Sequence, residues 1–132
     1  MATDGFQGFY VETRNYGATA AFWASMGFNN VFETDHGSGQ WVHPSGGPYV
    51  FIAEQHEGDL DTHPILAVAD AQAFAPDRTP DFVMPFTAQH WNVMEAHLRD
   101  PDGRIVSLQA PVPAGASVPD AGEHHAEKYG HG

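Results

Sequence analysis

Hydrophobic and polar residues alternate with period two from Phe6 to Thr13, placing Phe9 and Val11 on one side and Tyr10 and Glu12 on the other. Such alternation predicts a half-buried strand. Asn15 then precedes Tyr16 to Met26, where Ala20, Phe22, Trp23 and Met26 recur near helical spacing before Gly27. An N-cap residue at one end and a glycine at the other predict one helix. Short apolar runs follow at Asn30–Thr34, Gln40–His43 and Tyr49–Gln55, divided by Gly37-Ser38-Gly39 and Ser45-Gly46-Gly47-Pro48. These read as three strands.

The order begins again after the polar stretch Glu57 to Asp61. His63–Val68 predicts a strand, and Asp70–Phe74 opens a second helix that Pro76 and Pro80 limit to about two turns. Phe82–Phe86, Trp91–Arg99 and Arg104–Gln109 supply three further strands. A duplicated strand-helix-strand-strand-strand unit is therefore expected, one module at about 6–56 and the other at about 62–110 of a single domain, 1–110. Residues 111–132, rich in Pro, Gly and His and without apolar periodicity, read as a mobile tail whose His124, His125 and His131 are surface residues.

The last two strands enclose Asp100-Pro101-Asp102-Gly103, which suits a type I turn closed by a glycine bulge. With Asp100 opposite Arg104, Leu98 faces Val106 and Ala96 faces Leu108, so one surface of the hairpin is apolar. The other surface carries Glu95, His97, Ser107 and Gln109. A polar face turned away from the helices suits a ligand cleft as well as a solvated sheet surface.

Composition narrows the partners. The chain of 132 residues has 17 acidic and five basic side chains, a formal charge of −12, which repels a phosphate backbone and argues against nucleic acid. No apolar run reaches the length of a membrane span, and the first residues lack the layout of a signal peptide, so a cytoplasmic protein without a membrane partner is expected. Without cysteine, only His, Asp and Glu remain as strong metal ligands.

The hairpin from His97 to Gln109, preceded by Gln89-His90-Trp91-Asn92-Val93, resembles the closing segment of the vicinal oxygen chelate superfamily, the glyoxalase, bleomycin-resistance and extradiol-dioxygenase group. Ala20-Ala21-Phe22-Trp23-Ala24-Ser25-Met26-Gly27-Phe28 resembles its first-helix signature. The resemblance covers most of residues 6–110. It implies an α+β fold of two paired βαβββ modules, forming a curved mixed sheet around a cavity in a homodimer.

Metal-dependent members place His, Gln or Glu at four inward positions, which by the resemblance fall at Gly8, Phe51, His63 and Ser107. Only His63 ligates strongly, so no metal and no other cofactor is expected. Should the strand register slip by one residue, His63 with His97 and Glu95 would form the alternative centre. The expected ligand-binding residues are Tyr10, Glu12, Phe32, Trp41, Tyr49, Phe51, His63, Phe86, His90, Trp91, Glu95, His97, Ser107 and Gln109. Their aromatic members suit a flat ligand, whereas Phe22 and Trp23 on the helix are read as core. No nucleophile, base and oxyanion pattern is visible, so no catalytic residue is assigned. The resemblance then implies non-catalytic sequestration of an aromatic or glycopeptide-type, antibiotic-like natural product. The alternatives are a metal-dependent lyase, isomerase or dioxygenase, and a binding module for an unrelated metabolite.

Overall fold

The computed structural model describes residues 2–113, so the expected tail lies, beyond residue 113, outside the described residues. The chain divides into two compact units, the first Phe6–Pro64 and the second the described residues of Met1–Gly5 and Ile65–Gly132. No helix among the described residues is long and apolar enough to cross a membrane.

In the first unit, β1 (Phe6–Thr13) leads into α1 (Tyr16–Ser25) and then β2 (Asn29–Glu33), β3 (Ser38–Val42) and β4 (Tyr49–Glu54). The sheet order is β2-β3-β4-β1, with β1 parallel to β4 and the other pairs antiparallel. Two parallel strands need a long crossover, and α1 with β2 and β3 provides it. The helix starts where Asn15 accepts a hydrogen bond from the Ala18 amide at 3.0 Å. It ends at Gly27, whose φ of +97° lets the Phe28 amide return to the Trp23 carbonyl.

Ala20 packs on Val50 and Ile52, joined by Val11, Tyr16, Trp23, Phe28 and Trp41. The helical spacing misleads at two positions: Phe22 and Met26 are each 54% exposed. A ten-residue helix on a four-stranded sheet buries only a narrow stripe, filled here by Tyr16, Ala20 and Trp23.

The second unit repeats this connectivity with β5 (Thr62–Ala67, of which Ile65–Ala67 belong to this unit), β6 (Asp81–Ala88), β7 (Val93–Arg99) and β8 (Ile105–Pro111). Its order is β6-β7-β8-β5, with β5 parallel to β8. Where a helix of about two turns is expected, only a single 3₁₀ turn forms at Ala71–Ala73. Asp70 caps its start by accepting from the Gln72 amide, and Phe74 is already extended. Pro76 forces the preceding residue out of helical geometry, and Phe74 is held in the core by edge contact with Phe86. Val68, Ala96, Leu108 and Ala110 form the buried centre of that core.

The closing hairpin has the expected register, with Leu98 opposite Val106 and Ala96 opposite Leu108. Asp100 Oδ1 accepts from the amides of Asp102 and Arg104, and Gly103 adopts φ +86°. The Arg104 amide and guanidinium beside Asp100 hold its carboxyl below the usual carboxylate range. A Cβ at Gly103 would meet nothing within 4 Å, so Gly103→Ala isolates backbone strain. It is expected to lower stability by about 1–2 kcal/mol in urea unfolding.

Candidate functional site

The strands of each unit have one apolar face and one face of polar and aromatic side chains, and the second is largely buried except at β2, where Phe32 is 45% exposed. In the first unit the registers Phe32↔Gln40, Gln40↔Phe51 and Tyr10↔Phe51 run one row of side chains across β2, β3, β4 and β1. Phe32 and Phe51 rings lie 6.2 Å apart, Phe51 and Tyr10 6.5 Å, and Tyr10 and His63 5.0 Å. The result is an aromatic strip ending on an imidazole.

Beside it Glu12 is buried with both oxygens engaged: Oε2 accepts from the Tyr10 hydroxyl and Oε1 from the Asp61 amide, each at 2.9 Å. His63, 2% exposed, has Nδ1 2.8 Å from Asp61 Oδ2. Asp61 escapes a reading by sequence because it stands in the polar connection before β5; its spacing of two residues from His63 is the signal.

On the second unit's polar face, Glu95 and Gln109 are directly paired, as are His97 and Ser107. All four are buried. Glu95 Oε1 accepts from Gln109 Nε2 at 2.8 Å, and Oε2 lies 2.7 Å from His97 Nε2. A carboxylate so removed from water requires such partners.

Several expected ligand residues lie elsewhere. Trp41 belongs to the helix-side core, its Nε1 donating to the Tyr16 hydroxyl, because it sits one residue from Gln40 and so on the other face of β3. Phe86 likewise packs on the core face of the second unit, against Phe74. His90 and Trp91 occupy the β6–β7 turn, rings 4.7 Å apart and edge to face, next to Asn92 at φ 68°. That turn also holds Gln89, fully buried, whose Nε2 reaches the Thr87 carbonyl at 3.4 Å while Oε1 accepts no hydrogen bond among the described residues. Tyr49 is half-buried with its hydroxyl accepting from Gln7 Nε2.

No family model and no curated protein matches the sequence. Solved structures do. A methylmalonyl-CoA epimerase from Mycobacterium tuberculosis superposes with a TM-score of 0.64 at 11% identity, over 84% of this chain and 90% of that one. A glyoxalase/bleomycin resistance protein/dioxygenase superfamily member from Vibrio splendidus 12B01 gives 0.58 at 13% identity, over 78% and 96%. The chain has the vicinal oxygen chelate fold. Streptomyces coelicolor methylmalonyl-CoA epimerase in complex with 2-nitronate-propionyl-CoA also shares it, with a TM-score of 0.58 at 16% identity over 85% and 100%.

The metal often associated with the vicinal oxygen chelate fold does not suit the residues here. Gly8 offers no donor, and a Cβ at that position would overlap the Tyr49 ring. Phe51 offers a phenyl ring and Ser107 a neutral hydroxyl, leaving His63, already against Asp61, as the one strong ligand type. Among the described residues no group of three His, Asp or Glu could hold a metal ion.

Burial, the Glu12 charge and the hydrogen bond to Glu12 all push the Tyr10 phenol above its ordinary pKa. Burial and the bond to Glu33 push Tyr16 up to about 12. An unfolded tyrosine ionises near pH 10, so the native state, which keeps these phenols protonated, loses stability as pH rises past about 10. Tyr10→Phe should remove part of that alkaline loss. At neutral pH it should cost about 1–3 kcal/mol, because Glu12 Oε2 loses its donor. Chemical unfolding of both proteins across the alkaline range measures this.

Proposed function

We propose that this chain binds and sequesters a small aromatic or glycopeptide-type natural product without turning it over, conferring self-resistance to an antibiotic. The observation that carries this reading is the composition of the face opposite the core, taken in each unit by itself. In one unit Phe32, Phe51, Tyr10 and His63 form an aromatic strip. In the other, Glu95, His97, Ser107 and Gln109 form a hydrogen-bonding surface.

Flat rings supply stacking area at small entropic cost, and fixed polar groups set a ligand's orientation. Glu12 and Glu95 have both oxygens held by protein groups. Such carboxylates suit positioned acceptors better than mobile acid and base groups. Tyr49, seated over Gly8, adds a further ring beside the strip. The protein acts as a cytoplasmic homodimer in this reading, with neither metal nor other cofactor and with no nucleic acid or membrane partner.

The metal-dependent lyase, isomerase or dioxygenase reading draws on the epimerases that share the fold. It requires a divalent ion that Gly8, Phe51, His63 and Ser107 are poorly suited to hold.

Thermal unfolding of metal-free protein with metal-free bleomycin and a panel of planar and glycopeptide antibiotics tests the proposal. A binding compound should add about 2.7 kcal/mol of stability at one hundred times its Kd. Phe51→Ala, within the aromatic strip, should weaken that binding at least tenfold, with the compound recovered unchanged by mass spectrometry. Product formation, or a tightly held stoichiometric metal lost with His63→Ala, would overturn it.

A further inference from the structure

The internal repeat is unequal at one place. In the first unit α1 covers the apolar side of its sheet, whereas in the second unit the corresponding segment has only the 3₁₀ turn at Ala71–Ala73 before the chain runs extended through Pro76 and Pro80. A cleft of about 250 Å³ opens there, between this segment and the β7 end of the closing hairpin. Phe74 and Leu98 contribute apolar wall, with Phe74 braced edge-on by Phe82 and Phe86. Leu98 points away from the face that holds Glu95 and His97, so the apolar wall of the cleft lies on the core side, and Arg99, of the same parity as His97, borders the cleft from the last position of β7.

The charge around the cleft is unusual for this chain. Only five of its residues are Lys or Arg, yet Arg78 and Arg99 both line the opening. Both are exposed, and Arg78 has no ion pair among the described residues. Arg99 Nη1 stands 4.0 Å from Asp81 Oδ1, too far for a hydrogen bond. The neighbouring Asp100 carboxylate is committed to the turn, accepting from two amides and from Arg104 Nη1 at 2.8 Å. Two arginines whose guanidiniums are not taken up in close ion pairs therefore border a cleft with an apolar wall.

The geometry points to a second binding site, for a small monocarboxylate with an apolar or aromatic body of one or two rings. The volume falls below the roughly 300–1,000 Å³ of sites for larger ligands, which limits the body. Guanidinium groups pair with carboxylates through parallel N–H donors. Asp81 beside Arg99 offsets part of the positive charge and so disfavours a dianion such as a phosphate monoester.

The test uses the full chain with 2-naphthoate as probe and 2-naphthylmethylamine as its cationic counterpart, followed by NMR and calorimetry. Saturable binding of one 2-naphthoate per chain is expected, with amide shifts concentrated at residues 74–81 and 98–101. The amine should bind at least tenfold more weakly. Arg78→Gln combined with Arg99→Gln should reduce 2-naphthoate affinity at least tenfold without altering thermal unfolding, both side chains being exposed. Absence of saturable binding, equal binding of the amine, or an unchanged affinity in the double variant would each sink the proposal. None of these results depends on whether the polar faces bind an antibiotic.

Discussion

The carboxylate of Glu95, wholly out of contact with water, imposes the strictest condition on the second unit. An unpartnered buried charge costs several kcal/mol, so the fold must bring donors to both oxygens. Gln109 and His97 do so, one from the adjoining strand and one from two residues along the same strand. Both contacts require β7 and β8 to pair in a single register, since a slip of one residue would exchange the polar face for the apolar one. The Asp100 to Arg104 turn sets that register, and Leu98, Val106, Ala96 and Leu108 are carried to the core side by the same pairing. Glu12 poses the same problem in the first unit and meets the same kind of solution, from Tyr10 and the Asp61 amide.

Both units bury a glutamate on the face opposite their core, but on strands that do not correspond in the repeat, β1 in the first and β7 in the second, and the surroundings differ as well. In the first unit the surroundings are rings, with Phe51 and Tyr10 in register and Tyr49 lying where a side chain on Gly8 would stand. In the second they are an imidazole, a hydroxyl and an amide. The same comparison exposes the cost of Pro76 and Pro80. Without room for a helix, the second unit covers its apolar face with Phe74 and leaves an opening beside it.

Much of the fold was legible because β-structure writes a two-residue period directly into sequence. Phe6 to Thr13, the hairpin register and the succession of strands along the chain followed from alternation and from Gly, Pro and Asp at turns. The helix was located correctly by Asn15 and Gly27, but its buried stripe was not, since Phe22 and Met26 share its periodicity and are each 54% exposed. Trp41 and Phe86 were misjudged for a related reason: composition marks an aromatic residue as suited to a ligand, while only strand parity tells which face it occupies.

Sequence by itself determined the succession of strands along the chain and the turn chemistry, because each rests on residue type and local spacing. Tertiary structure decided the pairing of His63 with Asp61, the row joining Phe32 to Tyr10, the collapse of the second helix to one turn and the gathering of Arg78 and Arg99. Most of these join residues brought together only by chain reversal and strand pairing, and the strength of hydrogen bonds and charges there depends on burial that no local pattern records.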